Sequence, residues 1–256
     1  MATANVCGFH VVEMLLNRAP ERVLAVYIDK HRDDARARAL RGLASRAGIS
    51  VQPCDPDTID RRVPGERHQG IVAEVRPAPP RDEHDVAALI EPRDRAVLIL
   101  VLDGVQDPHN LGACLRTAAA AGADAVIIPR DRACTLTPAV RKAASGAADL
   151  IPVYRVANLA RVLARLKSGG VWLVGAAGDA PQSLFDTDLS GPLALVLGGE
   201  QSGLRRLTRE ACDTLAHIPT AGAVSSLNVS VATGVSLFEA VRQRHSAGSA
   251  ARRNSG

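Results

Sequence analysis

Hydrophobic positions fall into short blocks separated by polar and proline-rich stretches, and their spacing predicts alternating helices and strands. In the first third, Val11, Met14, Leu15 and Leu16 recur at helical intervals, and residues 23–28 form an apolar run of strand length. Residues 33–46 are rich in Ala and Arg, carry Leu40 and Leu43, and read as a helix ended by Gly48. Residues 49–51 and 70–75 read as strands, which makes this part a small α/β unit. Farther along, residues 96–102, 125–128, 171–174 and 193–197 are continuous aliphatic runs, with a shorter strand at 151–154. Helices are expected between them at 111–121, 139–144, 159–166 and 205–211, and a last helix over 227–242 closes the pattern. Such runs between helices predict a parallel sheet covered on both faces. Ligands of such sheets gather beyond the carboxyl ends of the strands.

Pro77, Pro79, Pro80 and Pro92 stand among charged residues and break the pattern. We expect a linker over 77–93, with room for two helical turns at 82–90. The domains are then 1–76 and 94–245, followed by a flexible basic tail at 246–256.

Composition narrows the class. Of 256 residues, 46% are hydrophobic and 23% charged, as in an ordinary globular protein. The longest aliphatic run, 96–102, is far shorter than the roughly 20 residues that span a bilayer. No basic-then-apolar stretch opens the chain, so neither a membrane segment nor a secretory signal is expected. The cysteines, Cys7, Cys54, Cys114, Cys134 and Cys212, never form a C-x-x-C pair. That scatter fits a reducing cytoplasm better than disulfides or zinc. Aromatic residues are only 2%, which disfavours a reader that stacks bases on aromatic rings. The net charge of +4 equals the contribution of Arg242, Arg244, Arg252 and Arg253, all after the last acid, Glu239. Bulk charge therefore says little about nucleic acid.

Three loops carry unusual residues. The first leads into a helix on which Arg116 has Gly112 and Ala113 before it and Ala119 and Ala120 after it. Its guanidinium lies over a nearly bare surface that admits a substrate or another helix. The second, residues 198–204, is Gly-rich but matches no nucleotide fingerprint. In the third, Ser225 or Ser226 can cap the last helix. No G-x-S-x-G elbow surrounds these serines. His68, His109 and His217 lack metal-ligand spacing, so no metal is expected.

Taken in order, the loops resemble the SpoU-type (TrmH-like) RNA ribose methyltransferases of the SPOUT superfamily. The first motif is Asn110-Leu111-Gly112-Ala113-Cys114-Leu115-Arg116, and the second is Gly198-Gly199-Glu200-Gln201-Ser202-Gly203-Leu204. The third runs from Ile218 through Thr220, Gly222, Ser226, Leu227 and Asn228 to Ser230. Gly8-Phe9-His10, His68-Gln69-Gly70 and Val241-Arg242-Gln243-Arg244 look like the subgroup acting on a guanosine of bacterial large-subunit (23S) rRNA. Thr220 stands where Met is common.

The resemblance implies an α/β catalytic domain with a C-terminal trefoil knot and an N-terminal RNA-binding domain like ribosomal protein L30. It also implies a homodimer with its site near the subunit interface, S-adenosylmethionine as cofactor, and 23S rRNA or a large-subunit precursor as partner. DNA is not an expected partner, because the 2′-hydroxyl that accepts the methyl distinguishes RNA, and the short aliphatic runs make a membrane no expected partner either. Arg116 takes the catalytic role, with Asn110, Glu200, Ser226 and Asn228 completing the site. Asn110 and Glu200 orient Arg116 or the ribose. Gly198, Ile218, Gly222, Leu227 and Asn228 bind the cofactor. A guanidinium normally stays charged, so stabilising an oxyanion is physically easier for Arg116 than removing a proton. The same chemistry on tRNA or another rRNA nucleotide is the nearest alternative. A non-catalytic assembly factor is disfavoured, because Arg116, Glu200 and Asn228 are all present.

Overall fold

The computed structural model describes residues 3–92, 95–200, 202–222 and 226–253, the last helix by its backbone alone beyond residue 246. The chain divides into two compact units, Met1–Pro79 and Pro80–Gly256.

In the first unit, β1 (Ala4–Cys7), α1 (Phe9–Arg18), β2 (Val23–Asp29), α2 (Ala35–Arg46), β3 (Val51–Cys54), α3 (Pro56–Arg62) and β4 (Ile71–Val75) follow in order. The sheet order is β1-β4-β2-β3, with β2 and β3 parallel and the other pairs antiparallel. Strand β3 begins where residues 49–51 were expected to end and contains Pro53. It lies at the sheet edge, where a residue lacking a backbone N–H is tolerated. Strand β1 and helix α3 are too short for their apolar periodicity to announce them.

The second unit contains β5 (Leu98–Asp103), α4 (Pro108–Ala120), β6 (Ala125–Pro129), α5 (Pro138–Ala144), α6 (Ala147–Leu150) and β7 (Val153–Val156). These are followed by α7 (Leu159–Ser168), β8 (Trp172–Ala176), β9 (Gln182–Ser183), β10 (Leu193–Gly198), α8 (Arg206–Ala211), β11 (Thr214–His217) and α9 (Val229–Arg253). Its seven strands run in the order β7-β6-β5-β10-β8-β11-β9, and every pairing is parallel. Successive side chains of β5 alternate between two cores. Leu98, Leu100 and Leu102 pack with α4, α5 and α9, while Ile99 and Val101 pack with α7. The α/β fold with a covered parallel sheet is therefore present as expected.

Part of the expected linker is folded into this unit. Val86 and Leu89, in a 3-10 helix, are buried in the same core as α7, and Arg155 N–H donates to Arg81 O at 2.9 Å. The tail also differs from expectation, because α9 continues to Arg253. Arg242 and Arg244 of this helix have partners. Arg242 pairs with Glu239 at 2.7 Å. Arg244 donates to the carbonyls of Ala96, Val97 and Gly191 at 3.0, 2.9 and 2.7 Å, and its burial pulls its pKa down. Gln243 accepts from Leu189 N–H at 2.8 Å and donates to Thr187 O at 3.0 Å. The Val241-to-Arg244 motif is thus a clamp of α9 onto the loop before β10. No helix among the described residues is long and apolar enough to cross a membrane.

Candidate active site

In the sheet, β6 and β7 lie on one side of β5 and β10, β8 and β11 on the other, so the strand order reverses at β5. A crevice at such a point is where α/β sheets bind ligands. Helices α4 and α9 both begin here. Asp107 caps α4 by accepting from Asn110 N–H at 2.8 Å. Asn228 caps α9 by accepting from Ser230 N–H at 2.8 Å. The expected cap, Ser225 or Ser226, is thereby replaced at Asn228, whose amide oxygen reaches the first turn. Ser225 itself lies outside the described residues.

A directional chain of hydrogen bonds joins the first and third loops to the second. Ser230 Oγ donates to Asn228 Oδ1 at 2.6 Å, and Asn228 Nδ2 donates to Asn110 Oδ1 at 3.0 Å. Asn110 Nδ2 then donates to Glu200 Oε1 at 2.6 Å. Each amide spends its donor on the next acceptor, so the chain fixes both amide orientations and ends on a carboxylate. The N-termini of α4 and α9, with their partial positive charge, add a favourable field for that carboxylate.

The second loop folds back on itself through glycine. Gly203 N–H donates to Gly199 O at 3.0 Å, and Gly199 N–H donates to Asp103 O at 3.0 Å. A Cβ on Gly198 would lie 2.0 Å from the carbonyl carbon of Gly203, so only glycine permits this approach. Just after the loop, Arg205 is held by Asp103 at the end of β5. Its N–H and Nε donate to that carboxylate at 2.9 and 2.5 Å. The Asp103 side chain is fully buried and Arg205 is not. Replacing Arg205 by Ala, which leaves the buried Asp103 carboxylate without its guanidinium, should cost about 3 kcal/mol of stability. Urea unfolding of Arg205→Ala checks this, and a loss under about 1 kcal/mol would make the pair dispensable.

Beside the hydrogen-bonded chain is a cavity of about 500 Å³ lined by Gly198, Glu200, Ile218, Ser226, Leu227 and Asn228. Thr220 also lines it, as do Ala176, Ala177 and Gly178. This last stretch of small residues, at the end of β8 and just after it, escaped the sequence reading. Gly222 is exposed and is not among the lining residues. The structure thus gathers Asn110, Glu200, Ser226 and Asn228 at one place with four of the five cofactor-binding candidates.

Arg116 stands apart from this chain. It lies six residues beyond Asn110 on α4, about 9 Å along the helix axis. Its Nη1 donates to Ser145 Oγ at 3.5 Å, and among the described residues no hydrogen bond joins it to Asn110 or Glu200, which leaves the ribose as the other expected target of those two. The bare surface before it is covered by a helix. A Cβ on Gly112 would meet Ala143 Cβ of α5 at 2.4 Å. Under α4, Cys114 is buried beside Thr233 at 3.3 Å, and burial pushes its thiol up to about 11. A thiol held protonated is a poor nucleophile.

Comparison with known proteins gives the family. Residues 97–238 match the SpoU rRNA Methylase family, and residues 5–81 match the RNA 2′-O ribose methyltransferase substrate-binding family. The 23S rRNA (guanosine-2′-O-)-methyltransferase RlmB of Pasteurella multocida is 54% identical over 94% of this chain and 98% of that protein. The RlmB of Pseudomonas putida is 53% identical over 93% of this chain and 95% of that protein. Among solved structures, the SpoU methyltransferase AviRb of Streptomyces viridochromogenes, in complex with the cofactor AdoMet, has a TM-score of 0.69 at 27% identity. That match covers 95% of this chain and 91% of the other. The motif-bearing loops of the second unit thus stand on a fold shared over nearly the full length of these proteins, and the chain belongs to the SpoU rRNA methylase family.

Proposed function

We propose that this protein transfers a methyl group from S-adenosylmethionine to the ribose 2′-hydroxyl of a guanosine in 23S rRNA. The observation that carries this reading is the hydrogen-bonded chain from Ser230 to Glu200 beside the cavity, in a chain 54% identical to an enzyme of that name. The cavity suits the cofactor: Ile218 and Leu227 offer apolar surface, and Gly198, Gly199 and Gly203 line it without side chains. S-adenosylmethionine supplies an activated methyl group, so the protein has to position, desolvate and manage charge. Gly198, Ile218, Leu227 and Asn228 hold the cofactor on this reading. Asn110, Glu200 and Ser226 place the ribose. Arg116 stabilises the oxygen as negative charge develops and anchors the neighbouring phosphate through its planar fork.

The first unit serves as the RNA-binding part. The working form is a homodimer with its site near the subunit interface, to which the exposed Arg116 is then available. Val231 and Phe238 support this, since they lie exposed seven residues apart, on one side of α9. The trefoil knot and a cytoplasmic location belong to the same proposal.

The test is incubation with labelled S-adenosylmethionine and unmodified 23S rRNA, followed by mapping of the labelled ribose. Label on a guanosine 2′-oxygen is expected. Incorporation into tRNA with none into 23S rRNA would overturn the assignment.

A further inference from the structure

Ser145 occupies the left-handed region at φ 49° and ψ 48°. A residue bearing a Cβ is strained there, and glycine is not. Gly146 follows at φ 84°, so two left-handed residues turn the chain from α5 into α6. Capping a helix in this way needs only the backbone, and glycine is the usual occupant. The serine is kept in place by its surroundings. Ala144, Ala147 and Ala148 on either side are buried, and Arg141 pairs with Asp149 across the corner at 2.5 Å. Strain that the neighbouring structure over-determines in this way clusters at functional sites.

What the strained position gains is a hydroxyl beside Arg116. Arg116 Nη1 donates to Ser145 Oγ at 3.5 Å, the outer limit of a hydrogen bond, and both residues are exposed. The spacing is set by rigid parts, because Gly112 brings α4 against Ala143 of α5 with no room for a methyl group. We propose that Ser145 is a positioning residue for Arg116, its hydroxyl selecting the guanidinium orientation that meets the reacting ribose and its phosphate. Arginine loses considerable rotamer freedom when fixed, and a partner held by the backbone reduces the loss at the moment of reaction. The proposal rests on the reading of Arg116 as the residue that acts on the ribose.

Four variants of the full chain test it, assayed with S-adenosylmethionine and 23S rRNA. Ser145→Gly removes the hydroxyl and relieves the strain. Its melting temperature should match or exceed that of the parent, with cofactor and RNA dissociation constants unchanged. Its kcat should fall about tenfold at unchanged KM, as for one lost hydrogen bond. Ser145→Thr keeps the hydroxyl but adds a branch at a strained position. It should melt earlier, yet turn over within about threefold of the parent per folded enzyme. Turnover by Ser145→Gly equal to the parent, whatever its melting temperature, overturns the proposal. In the Arg116→Ala background, Ser145→Gly should add no further loss, and an additive loss overturns the proposal too. Full turnover by Arg116→Ala would overturn the reading of Arg116 itself. A slow Arg116→Ala beside a fast Ser145→Gly overturns the present proposal alone.

Discussion

Arg116→Ala is expected to lower kcat about a thousandfold while leaving the melting temperature and cofactor affinity unchanged. The residue is exposed and its one described side-chain hydrogen bond, to Ser145, is long, so the fold does not depend on it. Arg116→Lys should lose about a hundredfold, because an ammonium keeps the charge but not the planar fork that grips a phosphate and an oxyanion together. A protonated guanidinium cannot accept the hydroxyl proton, so that proton passes to a phosphate oxygen or to water on this account. Single-turnover rates with labelled S-adenosylmethionine measure the effect without interference from product release. Near-parental turnover by Arg116→Lys would show that a point charge is sufficient. Near-parental turnover by Arg116→Ala would remove the residue from the mechanism.

Gly198→Ala should abolish cofactor binding, weakening it by at least about a hundredfold, and lower the melting temperature as well. The added carbon would fall 2.0 Å from the Gly203 carbonyl carbon and 2.2 Å from Leu204 N, both backbone atoms that cannot swing aside. The loop would open, and Glu200, which accepts from Asn110 at 2.6 Å, would leave its place. Gly222→Ala is the control. That residue is exposed, with nothing among the described residues within 4 Å of a new Cβ, and the change should alter binding by less than about twofold. Calorimetric titration of both variants with S-adenosylmethionine distinguishes them. Equal affinities would show that the Gly-rich loop is not the cofactor's floor.

How far the sequence could be read depended on the kind of element. The long aliphatic runs of β5, β6, β8 and β10 are visible because a doubly covered strand has to be apolar on both faces. Strand β11 was missed, though it leads directly into the third loop. Its sequence, Thr-Leu-Ala-His, carries no run, and its pairing between β8 and β9 makes it a strand. Arg244 read as one of four tail charges, whereas its guanidinium satisfies carbonyls more than a hundred residues earlier in the chain. Asn228 was legible as a motif residue and not as the cap of α9, because three nearby polar residues suit that role equally.

Local chemistry therefore determined the α/β alternation, the motif-bearing loops and the residue types offered at each loop. Periodicity and turn propensity act over a few residues, and the chain carries them wherever it folds. Tertiary structure decided which offered groups meet. Asn110, Glu200 and Asn228 are separated by up to 118 positions and share one hydrogen-bonded chain. Arg116, six positions from Asn110, is carried by helix rotation to Ser145. Helical geometry can separate near neighbours in sequence, and only packing brings distant ones within hydrogen-bond reach.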